Sequence, residues 1–491
     1  MTARLTPAAN LLLDRETRAQ LWARLIETIE NYTETVREQR VTPELAPQMI
    51  RTLLAACDFE QPMEAIEAVD FVAKGLTEYQ THTPHPRYYG LFNPAPTTMG
   101  IAADALVAAF NPQMAAWSHS PLAVEIEQHL IRCFGAWFGY DPKQTDGTFA
   151  SGGAEANHTA LVAALTDAFP DYPMRGVRAL AEQPVFYVSS ESHHSFLKAA
   201  RISGIGIDAV RQIEVDDRLR MNPRALEASI ARDRSAGFGP FLVVATAGTT
   251  NAGVIDPLAE IARVASRERL WYHVDAAWGG AAVLVPELRP LLDGIASADS
   301  ITFDAHKWLS VPMGAGVYLT RHIEILHRTF RTQTAYMPRE AAGLDVIDPH
   351  LHSMQWSRRF TGLKVFLSLL VAGRSGYEQA IRHQTALGHL LRDELRAGGW
   401  NIENDTPLPV VCFSDPNGAD PHAIVMRIVS AGEAWISTTQ IKGKTVLRAC
   451  ITNYRTEPGD IQALLQSLNQ ARDSERNAQA AREPQQKAVT F

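Results

Sequence analysis

The run ITFDAHKWLS, residues 301–310, sets Lys307 directly after His306 inside a segment that otherwise reads as protein interior. A buried ammonium without partners is strongly disfavoured. Taken alone, such a lysine snorkels to solvent. The alternative is a nitrogen made nucleophilic by burial and charged neighbours, which can bond covalently to a carbonyl carbon. Three further stretches bear on the choice. In LWYHVDAAWGG, Asp275 closes an apolar run; it can cap a helix, pair with an arginine, or accept a hydrogen bond from a buried cationic ring nitrogen and keep it protonated. In TFASGGAEANHTALVAAL, Ser151-Gly152-Gly153 joins a strand-like start to a helix. Glycines there let backbone N–H groups converge on an anion, aided by the helix dipole, although a Gly-Gly turn alone is also simply a tight turn. In SSESHHSFLKAARISG, His193 and His194 stand at a strand-to-helix junction, where an imidazole can stack on an aromatic ring or cap the helix.

Together these four features describe one site: an anion cradle, an acid for a ring nitrogen, a flat stacking group and a carbonyl-binding lysine. Pyridoxal 5′-phosphate asks for all four.

The elements that must position them are legible as periodicity. From 147 to 320, short apolar runs (PVFYVSS, FLVVATAGTT, LWYHVDAAWGG, SITFDA, GVYLT) alternate with helical patterns. That alternation predicts an α/β fold with a mostly parallel sheet flanked by helices, whose ligands bind at the carboxyl ends of the strands. Residues 14–80 carry amphipathic helix patterns that need a surface to cover. The Pro- and aromatic-rich stretch THTPHPRYYGLFNPAPTTMG follows, a connection or a pocket lining. Past the helix RRFTGLKVFLSLLVAG the chain reads as α+β to about 472. The expected organisation is an N-terminal helical segment (1–84), a large cofactor-binding domain (85–372), a small C-terminal α+β domain (373–472), and a polar tail (473–491) expected to be disordered.

Composition excludes several classes. The 491 residues are 46% hydrophobic and carry a net charge of −8, which argues against a nucleic-acid or anionic-membrane surface. Cys57, Cys133, Cys412 and Cys450 form no CxxC pair, predicting neither disulfide framework nor metal site and a reducing cytoplasm as home. The start MTARLTPAANLLLDRET lacks a secretory apolar core. No apolar run approaches the roughly 20 residues that span a bilayer.

The motifs HPRYYG, SPLAVEIEQHLIRCFGAWFG, SGGAEAN, SHHSFLKA, VVATAGTTNAGVIDPL, HVDAAWGG, DAHKWL, SRRFTGLKVF and VLRACITNYRT, in that order, give the chain a resemblance over residues 15–470. It resembles the group II pyridoxal-phosphate-dependent decarboxylases of the aromatic-amino-acid and glutamate type. The resemblance implies the aspartate-aminotransferase-like fold (fold type I), pyridoxal 5′-phosphate as cofactor, and a homodimer wrapped by the N-terminal helices. It implies Lys307 as the covalent anchor of the cofactor, Asp275 as partner of the ring nitrogen, and His193 as the stacking residue. Thr246 would hydrogen-bond near the cofactor, Ala277 would pack under its ring, and Gly152, Gly153, Ala154 and His306 would meet its phosphate. Asp304 departs from the asparagine of many relatives; a carboxylate there would repel a phosphate, so it is expected outside the site. Tyr336, in the loop TQTAYMPRE, aligns with the tyrosine that delivers a proton to the substrate Cα, directly or relayed through His193.

The implied reaction is α-decarboxylation of an L-amino acid to amine and carbon dioxide. Phe92 of YYGLFNPAP, Trp117 and Ser357 are the expected substrate contacts, with Tyr88, Tyr89 and Trp356 adding aromatic lining. That lining points to tyrosine, dopa or tryptophan. Asn93-Pro94 departs from the aromatic branch and keeps glutamate, aspartate or 2,4-diaminobutyrate open. An aldehyde-forming oxidative deaminase is disfavoured because Tyr336 and His193 are both present. A catalytically inert scaffold would show erosion of the cofactor set, and none is seen.

Overall fold

Buried apolar strands alternating with helices build a seven-stranded sheet, β1 (Asp146–Ala150), β2 (Pro184–Ser189), β3 (Val210–Ile213), β4 (Gly239–Thr246), β5 (Trp271–Asp275), β6 (Ser300–Asp304) and β7 (Gly316–Thr320). The computed structural model describes residues 11–488, apart from Asp58, Gln333 and Arg339, with side chains to residue 478. The reading of residues 1–10 as no secretory leader therefore lies outside the described residues.

The strand order is β1-β7-β6-β5-β4-β2-β3. The run from β6 through β5, β4 and β2 to β3 is parallel, whereas β7 runs antiparallel to both β1 and β6. Strands β1, β2, β5, β6 and β7 are buried along their whole length, as expected where helices cover both faces. Adjacent strands bring Thr246 opposite Asp275, and Asp275 opposite Thr302. The carboxyl ends of β4, β5 and β6 thus share one rim, with β1 delivered beside them through β7.

Ahead of the sheet come α1 (Arg15–Thr35), α2 (Pro47–Ala55), α3 (Ala65–Glu78), α4 (Thr98–Phe110) and α5 (Pro121–Phe138). Helices α1 and α3 bury no residue fully, and Trp22, Ile26, Val72 and Leu76 stand exposed on them. After β1, α6 (Gly153–Ala168) presses Ala156, Ala160, Ala163 and Ala164 onto the sheet. Those small side chains allow close approach, and they leave Asn157 as a polar group on the same buried face.

The helix Gly362–Ala397 turns sharply at Gly373, where φ is 64°. Beyond it a second, antiparallel sheet has the order β10-β11-β9-β8, from β8 (Asn401–Ile402), β9 (Val410–Ser414), β10 (Ser437–Ile441) and β11 (Lys444–Cys450). The tail departs from expectation: the last helix runs from Pro458 to Ala488, through residues expected to be disordered. Ile461, Leu464 and Leu468 anchor its first turns in the core, and Arg476 pairs with Asp415. The following Ala, Gln, Glu, Arg and Lys are strong helix formers that prolong a helix already nucleated. Low hydrophobicity removed the core signal there without opposing the helix.

Candidate active site

The turn from β1 into α6 is where the sequence reading places the anion cradle. A Cβ on Gly153 would lie 2.9 Å from Asp304 Oδ2 and 3.3 Å from the Ala277 Cβ, so any side chain would fill the space in front of the helix. At Gly152 a Cβ would lie 3.5 Å from His306 Cε1, an ordinary contact. The Ser151 N–H and hydroxyl both donate to Glu155 Oε2, at 2.8 and 2.7 Å, and Gln355 Nε2 donates to Glu155 Oε1 at 2.6 Å. Glu155 thereby ties the cradle to the distant segment 349–357. His306 is buried, and its Nδ1 accepts the Ala315 N–H at 3.2 Å. Burial lowers its pKa below the usual 6.5, with Asp304 opposing and Lys307 reinforcing the shift. The imidazole is therefore neutral with its proton on Nε2, a donor.

Asp275 ends β5 at 5% exposure with both oxygens engaged: Oδ1 accepts the Ala277 N–H at 3.1 Å and Oδ2 the Asn157 Nδ2 at 2.8 Å. Next to it, Thr246 ends β4, its N–H on Asp256 Oδ2 at 2.8 Å and its hydroxyl 3.3 Å from Ser192 Oγ. That contact carries the loop bearing His193 to the rim. His193 stays exposed, and its Nδ1 accepts the Ser195 N–H at 3.2 Å. Partial desolvation lowers its pKa; Asp275 pulls the other way and Lys307 adds to the lowering.

Lys307 sits in the turn after β6, its side chain 23% exposed and its Nζ 3.1 Å from Asp304 Oδ2. It does not snorkel to solvent. Asp304, expected outside the site, lies at its centre: Oδ2 also accepts the Gly153 N–H at 3.0 Å, and the residue is 1% exposed. The physical reason is compensation. A carboxylate at a helix N-terminus is favoured by the dipole, and the lysine ammonium supplies the countercharge that the sequence reading did not credit. Its Oδ1 is buried with no hydrogen-bond partner among the described residues.

Lys307, His306, Gly152, Gly153, Asp275, Ala277, Thr246 and His193 are therefore gathered at one rim. Ala154, second in α6, is exposed beside them. Among the described residues, no hydrogen bond, ion pair or ring contact joins Tyr336, Phe92, Trp117 or Ser357 to that group. Tyr336 is 74% exposed, its ring 6.1 Å from Trp356, which is 5.1 Å from His350. Trp117 donates its backbone N–H to Asp348 and its Nε1 to Glu125; Ser357 accepts from Gln113. Phe92 is buried, stacked on Trp278 at 4.5 Å, with the Arg448 guanidinium 5.1 Å from its ring centre. Sequence reasoning missed Asp304, Asn157, His273 and Glu155. For Asn157 and His273 the available signal was a polar residue on an otherwise apolar buried face.

These residues fit pyridoxal 5′-phosphate. The glycine cradle leaves room that a single Cβ would take, His306 offers a donor, Asp275 an oriented acceptor, and Lys307 an amine held by a carboxylate. The fold and rim together fit a pyridoxal-phosphate enzyme of the α/β type.

Residues 47–415 match the model of the pyridoxal-dependent decarboxylase conserved domain, and the chain belongs to that family. It is 31% identical over 471 residues to the aromatic-L-amino-acid decarboxylase of Bacillus atrophaeus, covering 94% of this chain and 96% of that protein. It is 32% identical over 382 residues to the cysteine sulfinic acid decarboxylase of Mus musculus, covering 77% of each. The crystal structure of mouse CSAD in apo form superposes with a TM-score of 0.87 at 28% identity, over 94% of this chain and 99% of that one. The protein is thus a pyridoxal-phosphate-dependent amino-acid decarboxylase, a carboxy-lyase.

Proposed function

We propose that the protein is a homodimeric, cytoplasmic enzyme that decarboxylates an aromatic L-amino acid, tyrosine, dopa or tryptophan, to its amine. Pyridoxal 5′-phosphate, when bound, supplies the electron sink for the pair left behind by the departing carboxylate. Lys307 anchors it covalently, Asp275 keeps its ring nitrogen protonated, and Ala277 and neutral His193 lie against the ring. Thr246 hydrogen-bonds beside it, and Gly152, Gly153, Ala154 and His306 hold the phosphate through backbone and imidazole N–H donors. Tyr336, on its loop, delivers a proton to the substrate Cα. Phe92, Trp117 and Ser357 shape the side-chain pocket.

One observation carries the aromatic choice. Tyr336, Trp356 and His350 form a continuous ring cluster, and His350 Nδ1 fixes it to the Ala115 carbonyl, two residues before Trp117. Flat rings at 5–6 Å spacing suit a flat side chain. The neighbouring Arg358 is consumed by Glu127 and is no free cation for an acidic substrate. Support for the dimer comes from a cavity of about 610 Å³ away from the rim, lined by Leu25, Ile29, Val72, Leu76 and Ile101 of the N-terminal helices. Unpaired Cys57, Cys133, Cys412 and Cys450 support a reducing compartment. No described helix is long and apolar enough to cross a membrane.

A second reading keeps glutamate, aspartate or 2,4-diaminobutyrate as substrate; for the two acidic ones it is favoured by Arg448, a buried cation stacked on Phe92. Carbon dioxide release from the twenty common amino acids, dopa and diaminobutyrate decides between them. Activity confined to acidic or diamino substrates sinks the aromatic choice. Peroxide and ammonia in place of amine would instead mark an oxidative deaminase.

A further inference from the structure

Behind Asp275 runs a line of buried polar groups with no part in the chemistry described so far. Trp271 Nε1 donates to Ser300 Oγ at 2.9 Å, and Ser300 Oγ lies 2.8 Å from His273 Nδ1. His273 Nε2 is 3.3 Å from Asn157 Oδ1, and Asn157 Nδ2 donates to Asp275 Oδ2 at 2.8 Å. His273 and Ser300 are 0% exposed and Asn157 1%, so each must be satisfied inside the protein.

The two ends dictate the direction of every link. An indole N–H only donates and a carboxylate only accepts. Asp275 obliges Asn157 to donate its Nδ2, so Asn157 Oδ1 faces His273 Nε2 and needs a donor there. Burial lowers the His273 pKa to about 4, so the ring is neutral and carries one proton. That proton therefore sits on Nε2 and points to Asn157 Oδ1, shared with Thr302 Oγ1 at 3.3 Å, and Nδ1 is left to accept the Ser300 hydroxyl hydrogen. The amide oxygen being engaged, only its NH₂ faces outward: one hydrogen to Asp275, the other to Ser195 Oγ at 3.0 Å. Reversing one link sets two donors or two acceptors against each other in a place water cannot reach.

We propose that Trp271, Ser300, His273 and Asn157 form a one-way hydrogen-bond relay that presents a fixed donor to Asp275 Oδ2, making His273 and Asn157 positioning residues for the decarboxylation. The inference rests on the reading that Asp275 faces the cofactor ring nitrogen. With Ala277 holding Oδ1 and Asn157 holding Oδ2, the carboxylate cannot rotate, and its remaining lone pairs keep one aim.

The test uses full-length holoenzyme and the variants Trp271→Phe, Asn157→Leu and Asp275→Asn. Cofactor affinity and the pH dependence of the cofactor absorbance are measured for each. Nitrogen NMR of histidine-labelled wild type reads the His273 tautomer. The relay predicts a neutral His273 with its proton on Nε2, and cofactor affinity weakened on the order of tenfold or more in Asn157→Leu. It also predicts a smaller loss with a displaced absorbance–pH profile in Trp271→Phe, which touches nothing in the site. A proton on His273 Nδ1, or wild-type affinity and profile in both relay variants while Asp275→Asn is impaired, overturns the relay. Unimpaired cofactor binding and profile in Asp275→Asn overturn the underlying reading of Asp275 instead. Should Asn157→Leu not fold, Trp271→Phe and the wild-type tautomer still decide.

Discussion

Asp304 Oδ2 is shared between Lys307 Nζ, 3.1 Å away, and the Gly153 N–H, 3.0 Å away. One oxygen thus fixes Lys307 to the first turn of α6, two parts of the chain separated by more than 150 positions. The shared carboxylate gives a direct contrast between two substitutions. Asp304→Asn keeps an acceptor for Gly153 and removes the negative charge facing the glycine turn; it should fold and bind the cofactor at least as tightly. Asp304→Ala leaves the Gly153 N–H unpaired and Lys307 without its counterion, at a cost of about 1–3 kcal/mol and weaker cofactor binding. Denaturant unfolding and cofactor titration by absorbance check both. Equal behaviour of the two variants would show that the shared oxygen does not organise the site.

Gly153→Ala should separate cradle from fold. The new Cβ would sit 2.9 Å from Asp304 Oδ2, where something must move, and 3.3 Å from Ala277 Cβ. Asp304 is pinned by its other contacts, so the turn itself must open. We expect unchanged far-ultraviolet dichroism and cofactor affinity lower by about tenfold, the size of one lost hydrogen bond to a charged group. Gly152→Ala meets only His306 Cε1 at 3.5 Å and should bind the cofactor nearly as wild type. The same titration ranks the two, and a larger loss at Gly152 than at Gly153 would contradict the geometry.

Much of this was legible in the sequence, for a physical reason. Periodicity is a local property, so the strand–helix alternation, Asp275 at the end of β5 and Lys307 just past β6 could be read from neighbours in the chain. Asp304 could not. Its partners are set by the strand order β1-β7-β6, which lays the start of α6 beside the end of β6. Without that adjacency a carboxylate near a phosphate turn reads only as repulsive. The relay was hidden likewise, because His273 and Asn157 meet across 116 positions. The tail failed differently: a polar composition says nothing about a helix already nucleated by Ile461, Leu464 and Leu468.

Tyr336→Phe should separate cofactor binding from turnover. The residue is 74% exposed and its ring neighbour among the described residues is Trp356. Removing its hydroxyl should leave cofactor affinity and thermal midpoint unchanged and lower amine formation by about 10²-fold or more, the usual contribution of a positioned proton donor. Product analysis with cofactor titration on the same preparation checks this. Amine formation at the wild-type rate would remove Tyr336 from the proton delivery.

Acid should destabilise the folded protein through two buried histidines. His85 is 0% exposed; its Nδ1 accepts the Arg87 N–H at 2.9 Å and its Nε2 donates to the Arg37 carbonyl at 3.2 Å. Burial first, then the Arg87 charge, lowers its pKa to about 4, and burial lowers that of His273 to about 4 as well. A histidine whose pKa is lower folded than unfolded contributes stability above 6.5, and loses it as pH falls towards 4. Each displacement from 6.5 to about 4 corresponds to roughly 3 kcal/mol. Asp256 works in the opposite sense: burial raises its pKa from 3.8 to about 6, so its contribution is complete below 3.8 and lost as pH rises through 6. Between pH 6.5 and 4 Asp256 therefore offsets about one of these two histidines. The expected measurement is a thermal midpoint that is flat above pH 7 and falls below 6.5. Asp256→Asn should steepen the acid limb and His85→Gln should flatten it. An acid limb of the same slope in wild type and His85→Gln would show that His85 is not one of the groups responsible.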